Sequence, residues 1–271
     1  MDIINNFNVL SEKFFKILQR DVFPLIDQIL EVNSSILTKE PLKDLINGKN
    51  NGMIMLANTL LLLFVLFYII KQLIFLYNGD SMENVYYFLG KFVFMMILVN
   101  NSYEICKFLF EIFDSLSDGI TRFCFSTVNQ TINFELLGKE IMNIKGMDSA
   151  DFISVAGLIK GILSGASISL LITLSIRYVT IIFLILVSPF AFLCLYDPAT
   201  VSFSKIWFRT LLINLLIEIF IKLIILIPIL YDDKNNDIYK VIVLGCLYLM
   251  SKISSFISAF FTGIFERIKN R

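Results

Sequence analysis

Apolar residues run along this chain in long blocks, set apart by short polar intervals. Residues 53–77, 206–229 and 241–261 are each long and apolar enough to predict a helix crossing the ~30 Å hydrocarbon core of a bilayer. Tyr68 and Tyr77 suit an interfacial aromatic belt, and Lys71 lies near enough to one end of its block to snorkel. The block at 85–99 is shorter and contains Lys91. It predicts either a span lengthened by residues 103–113 or a re-entrant element.

Ahead of these blocks the period changes. In residues 2–31, Phe7, Leu10, Phe14, Ile17 and Leu18 recur at helical spacing, with Glu12, Lys13, Lys16, Gln19 and Arg20 on the other side. Pro24 predicts a break or restart, after which Val22, Leu25, Ile26, Ile29 and Leu30 carry the pattern on. Such a helix either packs on the rest of the protein or lies in the membrane interface. The run from Asn47 to Gly52 reads as a turn-rich linker. Residues 114–151 mix Ser, Thr, Asn, Gly and acidic residues with scattered Phe, and predict a polar loop containing some helix, the one most able to reach partners outside the bilayer.

From residue 157 a regular row begins: Gly157, Gly161, Gly165, Ser169, Thr173 and Arg177, each four apart. Small residues at this spacing let another helix approach closely. The row winds around its helix, so one partner can touch only a few members. Its unbroken spacing predicts one helix over about 155–187, on the order of 50 Å long at ~1.5 Å per residue. Ser188-Pro189 is expected to end or kink it, with 190–196 finishing the crossing and Asp197-Pro198 starting a turn. Pro228 and the acidic run from Tyr231 to Asp237 close the following span.

The chain is thus expected to be all-α and polytopic, with about five spans, or six, behind an N-terminal amphipathic helix. Its parts are 1–52 (amphipathic segment and linker), 53–113 (first membrane helices), 114–151 (polar loop) and 152–271 (membrane core and basic tail). Composition agrees with this class: 57% of the 271 residues are hydrophobic and 17% charged, with a mean hydropathy of +0.78. A soluble domain carries roughly 25% charged residues. Net charge is zero, so no basic bias marks a nucleic-acid-binding surface. Arg267, Lys269 and Arg271, with Lys205 and Arg209, place the C-terminus and the loop at 197–205 in the cytoplasm. The charge rule favours six spans, whereas the unbroken small-residue row favours five.

Histidine is absent, and Cys106, Cys124, Cys194 and Cys246 are scattered without a CxxC pair. Four free, mostly buried thiols are expected, with a Cys106–Cys124 bridge as the alternative if that loop is extracytoplasmic, and with no zinc site and no His-based chemistry. No nucleotide-binding Gly-rich loop, paired intramembrane carboxylates or Ser/His set exists, so neither an enzyme nor a cofactor is expected. The candidate chemistry is the set of charges inside the spans, where each is costly. Glu218 and Lys222 stand four apart with the acid first, the favourable order for an ion pair, and Asn214 lies one turn earlier. This stripe must face protein or water rather than lipid. Arg177 has no acidic partner nearby in its own helix, and is expected to meet Glu218 or carbonyls freed at Ser188-Pro189. The network either fixes helix packing or lines a conduit.

Arg177-Tyr178, an aliphatic run, Ser188-Pro189-Phe190-Ala191-Phe192, Thr200, and Lys205-Ile206-Trp207-Phe208-Arg209 before another span resemble the TrbL family. That family is the polytopic inner-membrane component of type IV secretion and conjugation machines. The resemblance covers roughly residues 150–265, with Ser188-Pro189 as the break and Trp207 as the re-entry anchor. It departs at Glu218, where the family's span often carries glutamine. It implies a cytoplasmic-membrane channel or scaffold subunit, an extracytoplasmic N-terminus and five spans, with 101–152 outside. It also implies a homo-oligomer working with other secretion subunits and their ATPases, in transient contact with DNA or protein substrate. The alternative is a small-solute transporter or permease subunit, which would place a substrate site at a broken helix.

Overall fold

The computed structural model describes residues 9, 13, 14, 16–30, 40–48, 52–78, 84–128, 133–142, 155–196, 200–231 and 237–259. Among them every regular element is helical: α1 (Phe23–Leu30), α2 (Glu40–Asn47), α3 (Met53–Asn78), α4 (Val85–Asn100), α5 (Ser102–Val128), α6 (Phe134–Met142), α7 (Val155–Leu193), α8 (Val201–Ile229) and α9 (Asp237–Ser251). A short α10 (Ile253–Ala259) follows. The expected turn at Asp197-Pro198 and the basic tail lie outside the described residues, as does most of the acidic run after Tyr231.

The protein is a membrane-embedded helical chain. By length and composition, α3, the Ser164–Leu193 part of α7, and α8 can each cross a bilayer alone. Two bent pairs bring the count up to five: α4 with α5, turned by 59°, and α9 with α10, turned by 68°. No sixth candidate exists among the described residues. Asn100 and Asn101 mark the first bend, where their amide groups donate to the carbonyls of Met96 and Ile97, each at 2.8 Å.

Three expectations change. Residues 114–151 are helical over most of their described length, since α5 runs to Val128 and α6 follows. Their hydroxyls do not break the helix because they fold back on it: Thr121 donates to the Ser117 carbonyl and Ser126 to that of Phe123. Of the end or kink expected at Ser188-Pro189, the end does not occur: α7 continues through Pro189 to Leu193. Pro24 sits in the first turn of α1 without a break. A π-turn at Leu18–Val22 precedes it, with the Phe23 N–H reaching back to the Leu18 carbonyl.

The chain divides into two compact units, and α5, α7 and α8 each contribute to both. The first comprises residues 1–32, 113–179 and 213–271. Its core gathers Phe23, Ile26 and Leu30 of α1, Phe134 and Leu137 of α6, Leu170 and Leu174 of α7, and Ile217 and Ile221 of α8. The described part of the N-terminal segment is therefore packed on protein along that face. Asp27 fixes the α1–α6 pair by accepting from the N–H groups of Phe134 (2.6 Å) and Glu135 (3.1 Å), while Asn133 accepts from Leu136 (2.8 Å). Three donors at the start of α6 are thereby satisfied.

The second unit comprises residues 33–112 and 180–212. Ala57, Leu61, Met95, Val99 and Leu193 form its core. Aromatic stacking extends it, with the Tyr68 and Phe88 rings 3.5 Å apart and Phe64 stacked on Tyr196 at 5.5 Å. All four cysteines are free thiols.

Candidate functional site

Within the first unit, α8 presents Asn214, Glu218 and Lys222 on one ridge, each a helical turn apart, and all three are buried. Arg177 of α7 and Ser117 of α5 complete a polar cluster in otherwise apolar surroundings. Glu218 is its hub. One carboxylate oxygen lies 3.2 Å from Lys222 Nζ and accepts from Ser117 Oγ at 2.6 Å, and the other lies 3.6 Å from Arg177 Nη2. Lys222 in turn donates to Ser117 Oγ at 2.7 Å, so the hydroxyl both gives and receives.

Arg177 does more than neutralise Glu218. Its Nε donates to the Asn214 carbonyl at 2.7 Å and its Nη1 to the Leu30 carbonyl at 3.1 Å. Leu30 is the last residue of α1, where carbonyls have no intrahelical partner. The guanidinium therefore caps α1 while holding α7 against α8. The carbonyls it meets are not those near Ser188-Pro189. Two cations face one carboxylate, so every charge in the cluster depends on Glu218.

The small-residue row winds as expected. Gly157 lies in the first turn of α7. Gly161, Gly165 and Ser169 are exposed, Thr173 is half-buried and Arg177 is buried. Four residues advance a helix by about 40° beyond one full turn, so Gly161 and Arg177 lie on nearly opposite faces. A methyl group added at Gly161 or Gly165 would meet nothing within 4 Å.

In the second unit the proline and the tryptophan of the sequence pattern come together. Trp207 is buried, with its indole N–H donating to the Leu184 carbonyl at 2.8 Å and its ring edge-on to Phe192 at 5.4 Å. Ser204 donates to the Ala191 carbonyl. These bonds reach α7 on both sides of Pro189, where the helix lacks one of its own. Trp207→Phe keeps the ring and removes the donor, and is expected to cost about 1 kcal/mol. A lower thermal unfolding midpoint in detergent, with unchanged helical circular dichroism, checks this.

Chemically, the cluster can hold charge and join helices. Among the described residues no group of three His, Cys, Asp or Glu could hold a metal ion. No family model, curated protein or solved structure matches this chain. Two participants escaped the sequence pattern. Ser117 stands in the interval whose composition predicts a loop, and the Leu30 contact uses a backbone carbonyl that no side-chain pattern reports.

Proposed function

We propose that this chain is a channel or scaffold subunit of a type IV secretion (conjugative transfer) machine in the cytoplasmic membrane, helping DNA or protein substrate cross. The observation that carries this reading is how its polar and small residues are spent. The buried charges of Arg177, Glu218 and Lys222 pair with one another within the chain, with Ser117 and the backbone as further partners, whereas the small-residue face at Gly161 and Gly165 stands open. Self-contained charges with an open close-packing face suit a subunit that docks on neighbours. The coupling of Trp207 to the helix around Pro189 supports treating the TrbL-like pattern as one structural device. At Pro189, where a transporter reading would look for a broken helix, α7 continues without ending.

In this reading the subunit is a homo-oligomer that works with other secretion subunits and their ATPases, and the basic C-terminus is cytoplasmic. Gly161→Ile with Gly165→Ile is expected to abolish the homo-oligomer, since both branched side chains would enter the space a second helix needs. The unfolding midpoint of the dispersed chain should move by no more than about 0.5 kcal/mol, as for an exposed site. Crosslinking in native membranes checks the first effect and detergent unfolding the second. Recovery of wild-type chain from native membranes with a ring-forming assembly and its ATPases is the expected result for the machine. Recovery only as a monomer that binds a small solute overturns it.

A further inference from the structure

Lys91 is the single charge on α4. No described carboxylate lies within ion-pair distance of it, and its ammonium rests 4.6 Å from the centre of the Tyr196 ring. Tyr86, Tyr87, Gly90, Lys91, Phe94 and Leu195 line an open groove of about 670 Å³ here, within the second unit. That volume falls in the ~300–1,000 Å³ range of small-molecule sites. Tyr86 and Tyr87 are among the most exposed aromatics of the described chain, and they stand at the first turn of α4, where amphipathic rings mark a membrane–water boundary. The wall at Gly90 is open, with nothing within 4 Å of where a methyl group would stand.

We propose that this groove binds one acidic phospholipid, its headgroup phosphate on Lys91 and an acyl chain along Gly90 and Phe94. Charge complementarity selects this occupant. The groove offers apolar and aromatic walls and one cation that no described carboxylate neutralises, so its complement is apolar and singly anionic. A zwitterionic lipid brings its own cation to the same place and gains less. The surrounding bilayer supplies the occupant at high local concentration, and a long lysine side chain reaches the headgroup level from within a span.

Native mass spectrometry of the full chain, titrated with dioleoyl-phosphatidylglycerol or dioleoyl-phosphatidylcholine, tests the site. The wild type is expected to bind the first phosphatidylglycerol about fivefold more tightly than phosphatidylcholine, the effect of one lysine at a charged interface. Lys91→Gln should remove most of that preference, while Lys91→Arg and the control Lys71→Gln should keep it. Gly90→Phe retains the charge but fills the groove, and should weaken binding of both lipids. Equal binding of the two lipids by the wild type overturns the proposal. So does an undiminished preference in Lys91→Gln. Wild-type binding by Gly90→Phe also overturns it, because the lysine would then act as a diffuse surface charge. If Lys91→Gln fails to fold, Gly90→Phe still decides.

Discussion

Glu218→Gln is expected to leave little folded protein in the membrane. The substitution keeps the shape of the side chain and removes the only negative charge in the cluster, so Arg177 and Lys222 remain buried and repel each other. Breaking a buried pair by removing one partner costs roughly 3–5 kcal/mol. A whole domain is stable by only about 5–15 kcal/mol. The cluster has one charge too many, and that makes the sharper forecast. Adding Lys222→Met to Glu218→Gln should recover part of the loss, because Arg177 keeps its bonds to the Asn214 and Leu30 carbonyls. The expected coupling is on the order of 1–3 kcal/mol, read from unfolding midpoints of the two single variants and the double. Exchanging Arg177 and Glu218 should not restore stability, since an arginine at 218 would face Lys222 one turn away. Full rescue by that exchange would show that the lysine is not part of the network.

How much of this was legible beforehand depends on where each constraint originates. Whereas the single helix expected over 241–261 is broken between Ser251 and Ile253, the long apolar helices α3, α7 and α8 were legible, because lipid leaves an apolar run of that length few other conformations. So was the length of α7: four-residue spacing that never slips is a property of one continuous helix, and it correctly carried the ridge from the open face at Gly161 round to the buried Arg177. The stripe of Asn214, Glu218 and Lys222 was legible for the same reason. Composition understated the helix at 114–128, where serine and threonine satisfy themselves on the preceding turn and so do not end α5. At Pro189 the sequence left an end or a kink open, and the end does not occur; donors that brace the helix around it come from Ser204 and Trp207, on another element. Ser117 and the Leu30 carbonyl were illegible in principle. A hydroxyl or a helix end becomes part of a charge cluster only through tertiary packing.

Gly138 is the clearest case of a residue whose role only packing reveals, and Gly138→Val is expected to separate α6 from α1. The glycine is buried, and a Cβ there would overlap Cδ2 and Cε2 of Phe23. Comfortable contact between carbons is ~3.5–4.0 Å, well beyond what the backbone of α6 leaves. Phe23 cannot simply swing aside. It is buried, and its ring packs edge-on to Phe134 at 5.1 Å, next to the donors that Asp27 holds. Helix propensity works in the opposite direction, because any residue but proline favours a helix over glycine, alanine by ~1 kcal/mol. Overpacking a buried site costs about 1–3 kcal/mol, so Gly138→Val, with two further methyl groups and weaker propensity than alanine, falls at the unfavourable end. Gly138→Ala should lie near balance and lose slightly. With Phe23→Leu in the background the overlap is relieved, the propensity gain emerges, and the same alanine should become stabilising relative to Phe23→Leu alone. Hydrogen exchange at the first turn of α6 measures the separation directly. Faster exchange at Phe134 and Glu135 in Gly138→Val, restored toward wild type when Phe23→Leu is combined with Gly138→Ala, is the expected pattern. A valine at 138 that leaves those amides protected would mean that α6 does not owe its place to this close approach.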